Sequence, residues 1–195
     1  NISLDDLFSH TKKLCDEVDK PLVYMMYFNQ IFTYGMEAFL GKMKEIGVSG
    51  LIVPDLIPDS EPEFNDLAAS KGIDLIFLMT PATHPDREPI ILSNCKGFLY
   101  FVSVIGITGK RDHVNTEIKP VIERIRKVTD LPVCVGFGIS TPEHVESVLQ
   151  YSDGAIVGSA IVQKITDNIG SEKLVAEVTG MIRRMSSVKP DGDDK

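Results

Sequence analysis

The 195-residue chain is poor in positive charge, in cysteine and in long apolar runs. Lysine and arginine number 20 against 28 aspartates and glutamates, a formal net charge of -8. Nucleic-acid backbones are held by clustered Lys and Arg, so a nucleic-acid interface is excluded as the main role. The same deficit disfavours an anionic membrane surface, and no apolar run approaches the roughly 20 residues that cross a bilayer. Cys15, Cys95 and Cys134 are odd in number and far apart. They read as thiols of a reducing, cytoplasmic compartment, not as disulfide staples. The four histidines, His10, His84, His113 and His144, share no metal-ligand spacing with one another or with the cysteines, so no metal site is expected. Also missing is the glycine-rich turn that a dinucleotide-binding unit places after its first strand; Phe28-Asn29-Gln30 stands there instead.

What remains is an ordinary globular composition, 43% apolar and 25% charged, arranged in two alternating textures. Six short apolar runs recur: Pro21–Tyr27, Gly50–Asp55, Asp74–Thr80, Gly97–Val104, Pro132–Gly138 and Gly154–Val162. Near-continuous hydrophobicity predicts parallel strands buried on both faces. Amphipathic stretches lie between them. Phe39, Met43 and Ile46 mark one helix closed by Gly47, and Ile118, Val121, Ile122, Ile125 and Val128 mark another. Thr141-Pro142-Glu143 reads as an N-cap followed by proline at the first helical position. Ser3-Leu4-Asp5-Asp6-Leu7 reads as a capped opening helix, and Leu174, Val178, Met181 and Ile182 mark the last one. The alternation predicts an α/β fold of right-handed βαβ units, one domain over residues 1–185, expected to be incomplete at its N-terminus, with a polar, disordered tail over 186–195. An open doubly wound sheet and a β/α barrel both fit it. The informative glycines follow the last two strands, where phosphate-binding barrels carry their site, and the barrel fits better.

Gly136-Phe137-Gly138 and Gly158-Ser159-Ala160 are those two turns. Glycine lets a ligand lie against main-chain amides. The helix expected to open at Gly158-Ser159 would present free N–H groups to a dianion. Ser103 to Arg111 holds two glycines directly after a strand and suits a lid that closes over substrate.

Together with Pro21–Asn29, Gly50–Leu56, Tyr100–Ser103 through Thr108-Gly109, Gly136–Ser140 and Val157–Val162, these residues resemble the tryptophan synthase α subunit over nearly the whole chain. The resemblance implies an eight-stranded β/α (TIM) barrel, here strands three to eight. It also implies a lyase that splits indole-3-glycerol phosphate into indole and glyceraldehyde 3-phosphate in tryptophan biosynthesis. Indole would pass to a β subunit carrying pyridoxal phosphate, within an α2β2 heterotetramer, and no cofactor is implied for this chain. Carried over by position, Gly109, Gly138, Gly158 and Ser159 match phosphate-holding residues, and Tyr100 and Phe137 match aromatic pocket groups. Thr108 matches the lid threonine. Met25, Ile52, Pro54 and Leu78 would line the indole pocket, and Asn29 and Asp55 would face the β subunit.

One departure is large. The family's acid–base pair, a Glu ending the second barrel strand and an Asp in the following loop, has no counterpart after Asn1. The first two βα units are therefore expected to be cut away or not represented in this chain, which alone would be inactive. Two other readings stay open: a non-catalytic phosphate-binding barrel acting as an allosteric partner of the β subunit, and a different sugar-phosphate enzyme. The apolar character of Met25, Ile52, Pro54 and Leu78 weighs against the latter.

Overall fold

The computed structural model describes residues 2–103, 111–136 and 138–189, and of residues 111–117 the backbone alone. In chain order the elements are α1 (Leu4–Glu17), β1 (Val23–Met25), α2 (Phe28–Tyr34), α3 (Met36–Ile46), β2 (Gly50–Ile52), α4 (Pro62–Lys71), β3 (Asp74–Ile76), β4 (Leu78–Met79), a tight helical turn at Pro85–Arg87 and α5 (Glu88–Asn94). They continue as β5 (Leu99–Val102), α6 (Arg111–Ile125), β6 (Val133–Gly136), α7 (Pro142–Leu149), β7 (Gly154–Ile156), α8 (Ser159–Thr166) and α9 (Leu174–Ser186). The expected alternation of strands and helices is present. The chain divides into two compact units, Asn1–Leu78 with His84–Leu99, and Met79–Thr83 with Tyr100–Lys195.

One sheet runs β1-β2-β3, wholly parallel, with Met25 opposite Ile52 and Ile52 opposite Ile76. The other runs β4-β5-β6-β7. The run Asp74–Thr80, expected as one strand, is split between the two sheets at Phe77. The cause is local. The Phe77 amide donates to Cys95 Sγ at 3.4 Å, so that amide goes to a side chain instead of a neighbouring strand.

In the first unit, α1 begins with a reciprocal capping box: Asp6 N donates to Ser3 Oγ at 3.1 Å and Ser3 N to Asp6 Oδ2 at 3.1 Å. Its Phe8 ring meets Tyr34 edge-on at 5.5 Å, and also Tyr24 and Phe39. The stripe on α3 is as the spacing predicts. Phe39, Leu40, Met43 and Ile46 are buried, and Gly47 ends the helix in the left-handed region at φ 89°. Each fully buried side chain of this size contributes ~1.5–3 kcal/mol. Burial on both faces does not hold for β1, however. Tyr24 is buried against the helix face, while Val23 is 37% and Met25 58% exposed on the other.

In the second unit, Ile118, Ile122 and Ile125 are buried on α6 as expected, but Val128 lies beyond the helix end and is 67% exposed. The α7 start matches its sequence signal: Thr141 Oγ1 accepts from His144 N at 3.3 Å, with Pro142 at the first position. Ser186, assigned by sequence to the polar tail, is the last residue of α9.

Asp153 ties three segments of this unit together. Its Oδ2 accepts from Val133 N at 2.8 Å at the head of β6, and its Oδ1 from Arg126 Nη2 at 2.7 Å just past α6. Its own amide returns a bond to Val133 O at 2.9 Å. Burial works to raise the carboxyl pKa, but the Val133 amide and the Arg126 guanidinium outweigh it and hold Asp153 below the usual carboxylate range. A depressed folded-state pKa stabilises above the unfolded value and is lost as pH falls through the folded one. Asp153→Ala is therefore expected to cost about 1 kcal/mol at neutral pH, after discounting for solvent exposure. Thermal unfolding at a series of pH values should show the gap from wild type closing as pH drops below the usual carboxylate range.

Candidate functional site

The two glycine turns leave neighbouring parallel strands. Cys134, Val135 and Gly136 pair with Gly154, Ala155 and Ile156, and Gly136–Ile156 is the last pair. Gly138 and Gly158 each follow the end of their strand by two residues, on strands that neighbour at ~4.8 Å. Gly138 sits at φ 74°, a conformation that side-chain-bearing residues resist. Gly158 is the N-cap of α8, and a Cβ placed there would meet nothing within 4 Å.

The two helices that begin here differ. α7 is capped by the Thr141 hydroxyl, whereas α8 has no side-chain cap. Ile161 N and Val162 N both turn back to Gly158 O, at 2.9 and 3.2 Å. The first amides of α8 lie beside the exposed Ser159 hydroxyl, at the positive end of the helix dipole. Backbone donors without a competing cap are what a phosphate uses at a helix N-terminus.

Tyr100, half-buried on β5, explains the other glycine of the turn. A Cβ on Gly136 would lie 2.5 Å from Tyr100 Cε2 and 2.6 Å from its hydroxyl oxygen. Only a residue without a side chain leaves room for the ring. Sequence reasoning singled out the Gly-Phe-Gly turn for its approach to a ligand; it missed that the first glycine is required by Tyr100. The alternation of small Gly136 opposite an aromatic on the preceding strand was the available signal. Burial pushes the Tyr100 phenol above its ordinary pKa. Ser103, fully buried, donates its amide to Gly136 O at 3.0 Å and fixes the end of β5 against β6. Thr108, Gly109 and Phe137, and the lid expected around them, lie outside the described residues.

A separate cavity of about 380 Å³ in this unit is lined by Val145, Leu149, Ala155, Val157, Ile161 and Met185 among others. Its lining side chains are mostly apolar, with Ser186 among them.

In the first unit, Met25, Ile52 and Ile76 form one cross-strand row, with Ile52 and Ile76 buried. Leu78 is half-buried on β4, and Pro54 half-buried in the turn after β2. Asn29, expected in a loop, stands instead in the first turn of α2, exposed. Tertiary capping explains why the sequence conceals that helix: Phe28 N donates to Asp55 Oδ1 at 2.9 Å, across 27 residues. The two residues assigned to a partner are thus brought together. Among the described residues, each carboxylate with a resolved shift (Asp6, Asp59, Asp153 and Glu177) is held below its ordinary value. A general acid needs the opposite direction.

The sequence profile described as "Tryptophan synthase alpha chain" matches residues 1–189. The chain belongs to that family. The tryptophan synthase α chain of Methanocaldococcus jannaschii is 47% identical over 163 residues, 83% of this chain and 58% of that one. That of Synechocystis is 38% identical over 176 residues, covering 90% of this chain and 67% of the relative. This chain therefore spans a little over half the length of the Methanocaldococcus relative. Among solved structures, the tryptophan synthase α2β2 complex of Pyrococcus furiosus contains a chain that superposes with a TM-score of 0.84 at 32% identity, over 94% of this chain and 74% of that one. The α chain of Legionella pneumophila gives 0.81 at 28%, over 96% and 71%. The fold is thus that of the tryptophan synthase α barrel.

The Tyr100–Gly136 contact is directly testable. Gly136→Ala is expected to destabilise the protein by ~1–3 kcal/mol through overpacking. Adding Tyr100→Ala should remove most of that penalty, measured by denaturant unfolding as a double-mutant cycle. Additive losses would show that the ring and the glycine act independently.

Proposed function

We propose that this chain carries the phosphate grip and part of the indole pocket of a tryptophan synthase α subunit. The reaction is the retro-aldol cleavage of indole-3-glycerol phosphate. The bond between indole C3 and the glycerol carbon breaks, the ring carbon gains a proton and a glycerol hydroxyl loses one, leaving indole and glyceraldehyde 3-phosphate. The carrying observation is that Gly138 and Gly158 each follow by two residues the paired ends of adjacent parallel strands, with Gly158 as the N-cap of α8. In this reading the phosphate dianion accepts from the first amides of α8 and from the Ser159 hydroxyl. Gly138 and Gly109 let it approach the backbone. Tyr100 and Phe137 contribute aromatic walls, Thr108 orders the lid, and Met25, Ile52, Pro54 and Leu78 supply an apolar surface for the indole ring. Asn29 and Asp55 face a β subunit, which holds the pyridoxal phosphate and receives the indole.

The acid and base carboxylates are assigned outside these 195 residues. In a second reading the chain binds glycerol phosphate and acts only on the β subunit. Incubated alone with indole-3-glycerol phosphate, the chain is expected to release no indole. Titration into β subunit, with serine turnover as readout, separates the readings: activation without lyase activity favours the second.

Gly158→Asp tests the phosphate grip itself. Aspartate is a good N-cap, so stability should hold or rise by a few tenths of a kcal/mol. The same carboxylate would occupy the anion position, and glycerol 3-phosphate affinity by calorimetry should fall at least about tenfold, ~1.4 kcal/mol. Undiminished binding would place the phosphate elsewhere.

A further inference from the structure

The loop after β2 is a tandem repeat, Val53-Pro54-Asp55-Leu56 followed by Ile57-Pro58-Asp59-Ser60. Each tetrapeptide closes as a β-turn: Leu56 N donates to Val53 O at 3.1 Å, and Ser60 N to Ile57 O at 3.0 Å. Proline at the second position presets the backbone angle that such turns require. Aspartate at the third position then projects outward in both. Asp55 accepts from Phe28 N at the head of α2 at 2.9 Å. Asp59 receives both Arg87 guanidinium nitrogens, Nη1 at 2.8 Å. That pairing holds its carboxyl down to about 2. A third tie comes from Asn65, whose Nδ2 donates to Pro58 O at 2.6 Å. Val53, Leu56 and Pro58 point inward, and Ile57, between the turns, is left 56% exposed.

We infer that Asp55 serves partner docking as a positioning residue: its carboxylate clasps the two-turn loop to the start of α2, so that Asn29 and Ile57 are presented in one fixed arrangement. This rests on the β-subunit reading above. It differs from it in assigning the Asp55 oxygen to an amide of its own chain and not to a group on the partner. A loop ordered before binding saves the entropy of ordering it at the interface. Asparagine caps a helix about as well as aspartate, losing only the modest dipole component of the charge.

The test compares wild type, Asp55→Asn and Asp55→Ala in the 195-residue chain by amide hydrogen exchange and by titration with purified cognate β subunit. Asp55→Asn should keep Phe28 N slow to exchange and bind within about threefold of wild type. Asp55→Ala should expose Phe28 N to exchange and bind roughly tenfold more weakly. Equal weakening by both variants would mean the charge itself meets the partner, and full affinity in Asp55→Ala would mean the clasp is irrelevant; either overturns the inference. If the alanine chain fails to fold, the asparagine variant decides alone, since a partner-facing charge predicts loss and a clasp predicts retention. A wild-type chain that does not bind β subunit overturns the partner reading itself, whatever the exchange data show.

Discussion

Cys134, Val135 and Gly136 pair in parallel with Gly154, Ala155 and Ile156, and the proposed phosphate grip depends on that register. Parallel strands place their C-terminal ends on one side, so both glycine turns open the same way. A slip of one residue would part Gly136 from Ile156 and turn one strand's side chains to the opposite face. The register is pinned from both ends. At the start, Asp153 bonds Val133 and Arg126. At the finish, Ser103 bonds Gly136 O while the Tyr100 ring fills the space where a Gly136 side chain would be. Tyr100 is thus both a wall of the candidate site and a gauge of its geometry.

The neighbouring helix starts show how a fold separates structure from binding. Thr141 closes the head of α7 with its own hydroxyl, and Ser140 N donates to His144 Nδ1 at 3.3 Å beside it. Those donors are satisfied within the chain. At Gly158 the N-cap residue has no side chain with which to close the turn, and the proposed phosphate would take that place. A glycine N-cap costs only about a few tenths of a kcal/mol relative to a good cap.

Much of this organisation was readable in the residues. Apolar runs located the strands, and short-range caps located the starts of α1 and α7, because Ser3–Asp6 and Thr141–His144 act within one helical turn. What escaped reading depends on partners far along the chain. The head of α2 is capped by Asp55, 27 residues on. The break at Phe77 is set by Cys95, and the need for glycine at 136 is set by Tyr100. Exposure also escaped: Met25 sits in an apolar run yet is mostly exposed, since hydrophobicity records what a strand can bury and not what covers it.

In the proposed function a chain with net charge -8 holds a dianion against its own field. At physiological ionic strength that field is screened over ~8 Å, so the balance is decided by groups in contact with the ligand. Amides of α8 and the Ser159 hydroxyl are dipoles, and they attract a phosphate without drawing nucleic acids or anionic membranes to the surface. The same logic bears on the first unit. There the exposed acid Asp59 is neutralised by Arg87, and the Asp55 carboxylate is turned onto an amide of α2. Acidic side chains in these loops act as internal fasteners. The surface they hold in place is left to Asn29 and Ile57, an amide and a hydrocarbon, which a partner can meet without first stripping water from a charge.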